Sequence, residues 1–216
     1  MSSNNSAVVV DAKNGNHTAT LIFLHGRGDT GHGWADTFAR LKPPYVKCIC
    51  PTAPEIAITL AGGCVMNAWF DLLTPYGEEG LEDESGIKRM TEYIHNLIEN
   101  EQTKFNIPAK RIMLGGYSQG GGLAFHSALR YKEPLAGLVA LSCWLPLRSD
   151  YPQALNENLR NMPVLQCHGE IDPIIPCEWS MMSVEPVKHV MSDYEYKRFP
   201  GLGHTTFPPV IKTNLN

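Results

Sequence analysis

The stretch LGGYSQGGG, residues 114–122, sets five glycines around Ser118. It follows a short apolar run at 111–114 and leads into a helical pattern over 121–131, so the serine falls on a strand-to-helix turn. Gly116-Tyr117-Ser118-Gln119-Gly120 fits G-x-S-x-G in the setting a nucleophile elbow demands, where residues without a β-carbon let strand and helix approach closely. The competing reading is a glycine-rich turn whose serine only caps the helix. The rest of the chain decides between them.

Apolar runs alternate with helical periods on both sides of this turn, the signature of strands laid parallel with helices crossing over between them. Strands are expected at 7–10, 18–25, 46–50, 111–114, 135–141, 163–168 and 194–199. The first two flank KNGN, a type I′ turn signal, which predicts an N-terminal edge hairpin. Ile87, Met90, Ile94, Leu97 and Ile98 recur at helical spacing, which predicts a helix over 82–105; 178–191 reads as another. Residues 55–80 break the rhythm and read as a lid or pocket wall inserted over the sheet. The expectation is one α/β domain spanning 1–216, with helices on both faces of a mostly parallel sheet.

Composition narrows the function classes. The 216 residues carry a formal net charge of −4, with basic residues scattered singly or in pairs, which argues against nucleic acid as a partner. The first twenty residues have no secretory pattern, and no apolar window is long enough to span a membrane, so a cytoplasmic protein is expected. Cys48, Cys50, Cys64, Cys143, Cys167 and Cys177 show no C-x-x-C spacing and read as buried free thiols; no histidine pattern builds a metal site. GRGDTGHG, 26–33, lacks both the dinucleotide fingerprint and G-K-[ST], so neither nucleotide nor other cofactor is expected.

A serine hydroxyl needs a histidine base and an acid that orients it. In an elbow-bearing fold these follow in the order Ser, acid, His, which sets aside His17, His25, His32, His95 and, marginally, His126. Of the remainder, His189 lies in a helical stretch, and His168 closes a strand with no well-placed acid before it. His204 sits in a glycine-flanked loop after the last strand and is the best base. QCHGEIDPIIP, 166–176, offers Glu170 and Asp172 just after a strand; Pro173 stiffens the turn and favours Asp172, with Glu170 the alternative. The oxyanion of an acyl transfer needs two backbone N–H donors, expected from Gln119, next to the nucleophile, and from Arg27 in the loop HGRGD. Trp69, Phe70, Leu72 and Leu73 offer apolar surface beside the elbow, for substrate or simply for the core.

Together FLHGRGDTGHGW, GGYSQGG, ALSCWLPLR, LQCHGEIDPIIP and the late Gly-His resemble the acyl-protein thioesterase family, also called the lysophospholipase/carboxylesterase family, over about 18–204. The resemblance implies an α/β-hydrolase fold that cleaves long-chain acyl thioesters and esters, with acylated proteins or lysophospholipids as substrates. It implies Ser118, Asp172 and His204 as the triad, Arg27 and Gln119 as oxyanion donors, and Trp144 and Ile174 as walls of an acyl channel. Three features depart from the family pattern: Arg27 where an apolar residue is common, Glu170 where Asp is common, and the end of the chain. Twelve residues follow His204 (216 − 204), where the family closes with a longer helix, and prolines at 208 and 209 interrupt helix there. Sparse cover on that sheet face, with an apolar channel mouth, would favour a weak homodimer or peripheral membrane contact. The rival from another class is a non-catalytic acyl-binding protein in which His204 is misplaced.

Overall fold

The computed structural model describes residues 7–13, 15–77 and 81–205. Its centre is a seven-stranded sheet built from β1 (Val8–Val10), β2 (Ala19–Leu24), β3 (Val46–Cys50), β6 (Ile112–Tyr117), β7 (Gly137–Leu141), β8 (Val164–Gly169) and β9 (Tyr194–Phe199). Strands β4 (Glu55–Ile58) and β5 (Cys64–Asn67) form a separate antiparallel hairpin. The sheet order is β1-β3-β2-β6-β7-β8-β9, parallel throughout except for β1.

Alternation along the strands sorts side chains onto two faces. Ile22, Leu24, Ile112, Leu114, Leu138 and Val164 join the larger core. On that side α3 (Gln119–Arg130) packs on β6, β7 and β2, and α2 (Glu84–Phe105) packs on α3. Helix α2 buries the expected stripe of Ile87, Met90, Ile94 and Ile98, with Leu97 only half-buried; Asp83 caps its start by accepting the Gly86 N–H at 2.9 Å. Helix α4 (Cys177–Lys188) packs on β8. On the opposite face Leu21, Phe23, Cys48 and Cys50 meet Trp34 and Phe38 of α1 (His32–Leu41), while Met113, Val139 and Leu165 are only partly buried.

Several expectations change. The N-terminal hairpin is incorrect: β1 is an edge strand but pairs antiparallel with β3, Val8 opposite Cys50 and Val10 opposite Cys48. The reason is topological, since β2 already has β3 on one side and β6 on the other and offers no free edge. Helix α1 goes unread from sequence because its ten residues bury only Trp34, Ala35 and Phe38, behind a glycine-rich loop. Residues 55–77 hold the β4–β5 hairpin that the mixed composition hid. All six cysteines are free, as expected, but Cys64 is exposed. The expectations for residues 206–216 and for 78–80 lie outside the described residues.

Candidate active site

Ser118 sits between β6 and α3 at φ 54°, ψ −125°, a conformation an L-residue adopts only where its surroundings impose it. The neighbouring glycines explain how. A β-carbon on Gly116 would lie 2.4 Å from Gly120 O, and one on Gly120 would lie 2.3 Å from His25 O. Strand, turn and helix therefore close on one another with no room for a methyl group at either position. The next turn of the helix is also close to its neighbours, since a β-carbon on Gly122 would lie 2.9 Å from Trp144 O.

The two other polar groups reach the serine from neighbouring strand ends. Asp172 follows β8 and His204 follows β9. Their loops are laced together: Ile171 N–H donates to Leu202 O at 3.1 Å, and a β-carbon on Gly169 would lie 2.2 Å from that same carbonyl. His204 Nε2 lies 3.0 Å from Ser118 Oγ, and His204 Nδ1 lies 2.7 Å from Asp172 Oδ2. Glu170, the alternative acid, instead pairs with Arg198 at 3.5 Å. His189 faces Glu185 on the exposed end of α4, away from this constellation.

Electrostatics suit the arrangement. Burial would raise the Asp172 pKa, but hydrogen bonds from His168, His204 and the N–H groups of Ile175 and Ile174 outweigh it and hold the carboxyl well below its ordinary range. Tyr117 donates its hydroxyl to the backbone carbonyl of His204 at 2.8 Å, and its ring lies 5.1 Å from the imidazole. Burial, then the charge of Asp172, push the Tyr117 hydroxyl up to about 12, so it stays a donor.

A cavity of about 90 Å³ opens beside Ser118. Arg27 and Gln119 line it at the serine end; Leu60, Leu72, Tyr76, Trp144 and Ile174 form its apolar walls. Leu73 requires a correction: it lies at a bend in the chain, is 41% exposed and is not in the cavity wall, where Leu72 stands instead. Among the described residues, no hydrogen bond uses the backbone N–H of Arg27 or of Gln119, which leaves both available to an oxyanion. The Gln119 side chain is occupied elsewhere, accepting from Trp69 N and donating to Phe70 O, and so pins the helix start.

A model of the phospholipase/carboxylesterase family matches residues 4–213. This chain belongs to that family. The hydrolase is 41% identical to acyl-protein thioesterase 1 of Gibberella zeae over 96% of its own length and 92% of the relative's. It is 39% identical to the protein of that name from Schizosaccharomyces pombe, covering 84% and 79% of the two chains. The crystal structure of Zea mays acyl-protein thioesterase 2 superposes with a TM-score of 0.83 at 29% identity, over 98% of this chain and all of the other. The enzyme is thus an α/β-hydrolase in fold and family.

Sequence reasoning missed several residues that hold the hydrolase's site in shape. His25 accepts Ala53 N–H on Nε2 and donates from Nδ1 to Gly26 O, fixing the loop before Arg27; burial lowers its pKa against the pull of that bond and of Asp29. Trp69 Nε1 donates to His25 O, and Gly28 N–H donates to Asn67 O, so the 55–77 segment braces the same loop. A lone histidine at a strand end carried the only signal for His25, and Trp69, read as apolar surface beside the elbow, is a core residue whose indole N–H bond to His25 O had no sequence signal.

Proposed function

We propose that this hydrolase cleaves long-chain acyl thioesters and esters, including S-acyl groups on protein cysteines, through an acyl-enzyme on Ser118. The observation that carries the reading is the relay from Asp172 Oδ2 through His204 to Ser118 Oγ, at 2.7 and 3.0 Å, opening on an apolar cavity. Asp172 accepts a hydrogen bond from Nδ1–H, which keeps the proton on Nδ1 and leaves the Nε2 lone pair facing the serine. His204 takes the Ser118 proton as Oγ bonds to the acyl carbon, and the N–H groups of Arg27 and Gln119 receive the oxyanion. Collapse breaks the C–S or C–O bond, and His204 returns its proton to the departing thiol or alcohol. Water then attacks the acyl-serine with the same histidine as base, releasing the fatty acid and restoring Ser118. No step calls for a cofactor.

Trp144, Leu60, Leu72 and Ile174 suit an acyl chain, since each methylene removed from water contributes about 0.8 kcal/mol. The relatives named acyl-protein thioesterase support acylated proteins as substrates; lysophospholipids fit the same cavity. Among the described residues no helix is long and apolar enough to cross a membrane. A cytoplasmic enzyme that touches membranes peripherally fits the exposed Leu60 and Val65 of the 55–67 segment. The partly buried Met113, Val139 and Leu165 are the face on which a weak homodimer would form.

The test is reaction with a fluorophosphonate probe, expected for the wild type and lost in Ser118→Ala. A folded wild type that does not label sinks the reading and favours a non-catalytic acyl binder. Turnover of acyl thioesters against lysophospholipids across chain lengths then ranks the substrates.

A further inference from the structure

Asp172 is held by more than its bond to His204. Its Oδ1 accepts the N–H groups of Ile174 and Ile175, each at 2.9 Å. Its Oδ2 lies 3.3 Å from His168 Nε2, and the same nitrogen lies 2.8 Å from Ile175 O. Both of these neighbours are acceptors, so the proton sits on Nε2. The His168 side chain is fully buried, and its Nδ1 has no hydrogen-bond partner among the described residues. A phenyl ring would fill this space without an unsatisfied nitrogen, so what the imidazole adds must lie on its Nε2 side.

We propose that His168 is a positioning residue of the hydrolase. Its Nε2–H keeps the Asp172 carboxylate turned toward His204 and clamps the 172–175 turn that places Ile174 and Ile175 in the acyl cavity. The inference rests on the triad reading above.

Sharing Oδ2 between two donors has a consequence for His204. A carboxylate that accepts a second N–H is a weaker partner for the imidazole, so removing the His168 donor strengthens the hold of Asp172 on the His204 proton. The acid limb of the rate profile then moves to higher pH. Mere disorder of Asp172 would move it down or leave it, because a displaced carboxylate supports the imidazolium less. The other ionisable groups around the pair are Tyr117 from β6 and, on the outer side of the acid turn, Glu170 with Arg198 of β9. The substitutions below leave them in place.

The experiment measures kcat/KM against pH on a soluble acyl thioester for the wild type, His168→Phe and His168→Gln. Glutamine sets an amide N–H near the position of Nε2 but does not titrate. Expected for His168→Phe are a loss of roughly tenfold at the optimum and an acid limb raised by about half a pH unit, the scale of one altered hydrogen bond to a carboxylate; His168→Gln returns the limb to the wild-type position. A folded His168→Phe with an unmoved or lowered limb overturns the proposal, as does a His168→Gln profile identical to that of His168→Phe. Should His168→Phe fail to fold, nitrogen NMR of the wild type decides, since a proton on Nδ1 rather than Nε2 overturns the assignment and one on Nε2 supports it. A wild type that neither labels nor turns over thioester refutes the proposed function; an active wild type with an unmoved variant refutes only this inference.

Discussion

Gly120→Ala offers a quantitative test of the elbow. The added methyl carbon would lie 2.3 Å from His25 O and 2.5 Å from Leu24 O, where an ordinary C···O contact is about 3.3 Å, so the helix start and β2 must part by about 1 Å. Neither side yields easily. β2 is paired on both edges, and the Gln119 side chain ties the start of α3 to Trp69 and Phe70. Overpacking against backbone on this scale costs about 2–3 kcal/mol, or about 4–12 °C in Tm for a chain of this size. The gap opens between the loop bearing Arg27 and the N–H of Gln119, so the two oxyanion donors separate; losing one lowers kcat by about 10²–10³. Gly122→Ala is the control. Its methyl sits 2.9 Å from Trp144 O and 3.2 Å from the Pro146 ring, a conflict of about 0.4 Å that is partly offset by the better helix propensity of alanine. Its Tm is expected within about 3 °C of the wild type and its kcat within about threefold. Thermal unfolding and steady-state turnover of an acyl thioester measure both. A Gly120→Ala enzyme whose kcat stays within fivefold of Gly122→Ala would refute the reasoning that these glycines exist for clearance around the nucleophile.

Other outcomes follow from the same geometry. Tyr117→Phe keeps the ring against His204 but removes the hydroxyl that holds its carbonyl; kcat should drop about threefold to tenfold with KM little changed, and an unchanged kcat would show that the bond does not position the base. Asp172→Asn should lower kcat by about 10⁴. Because the folded carboxyl is held below its unfolded value, Asp172 stabilises the protein above about pH 4, and that contribution is lost as pH falls toward the folded value. Urea unfolding should show the wild type's advantage over Asp172→Asn shrinking below pH 4, and a constant difference would contradict the assignment. His126 is buried and accepts the Tyr151 hydroxyl, with its pKa pushed down to about 4 chiefly by burial. The unfolded chain then binds a proton that the folded one refuses between about pH 6.5 and 4, so wild-type stability should fall by up to about 3 kcal/mol across that window. His126→Asn, which retains an acceptor for Tyr151, should flatten the decline in Tm.

What the sequence made legible follows from how local each signal was. The elbow was readable because its strand, its glycines and its helix lie within a few consecutive residues. The stripe of α2 was readable because one apolar face repeats over about three turns, from Ile87 to Ile98. His204 and Asp172 could be placed from chain order and strand ends, though local residues alone left Glu170 open; the structure separates the two carboxylates by turning Glu170 outward to Arg198. The N-terminal pairing was misread because KNGN describes only a local bend. Which strand β1 joins depends on which edge remains free after β2 has been flanked by β3 and β6, a fact spread over a hundred residues.

The same distinction explains why supporting residues escaped notice while acting residues did not. A nucleophile, a base and an acid each carry chemistry that their residue type announces. His25, Trp69, Tyr117 and His168 act by holding something else, through bonds to backbone carbonyls or to one another's neighbours, and their partners lie up to 87 positions away in sequence. His168 makes the point most sharply, for in sequence it competes with His204 for the role of base and loses. In the fold it stands behind the acid, four residues from Asp172 and one turn from the cavity wall, where its single donor reaches both the carboxylate and the Ile175 carbonyl. Rejecting a histidine as the proton acceptor therefore says nothing against its shaping the proton acceptor's basicity, and that second role becomes visible only once the atoms facing Nε2 are known.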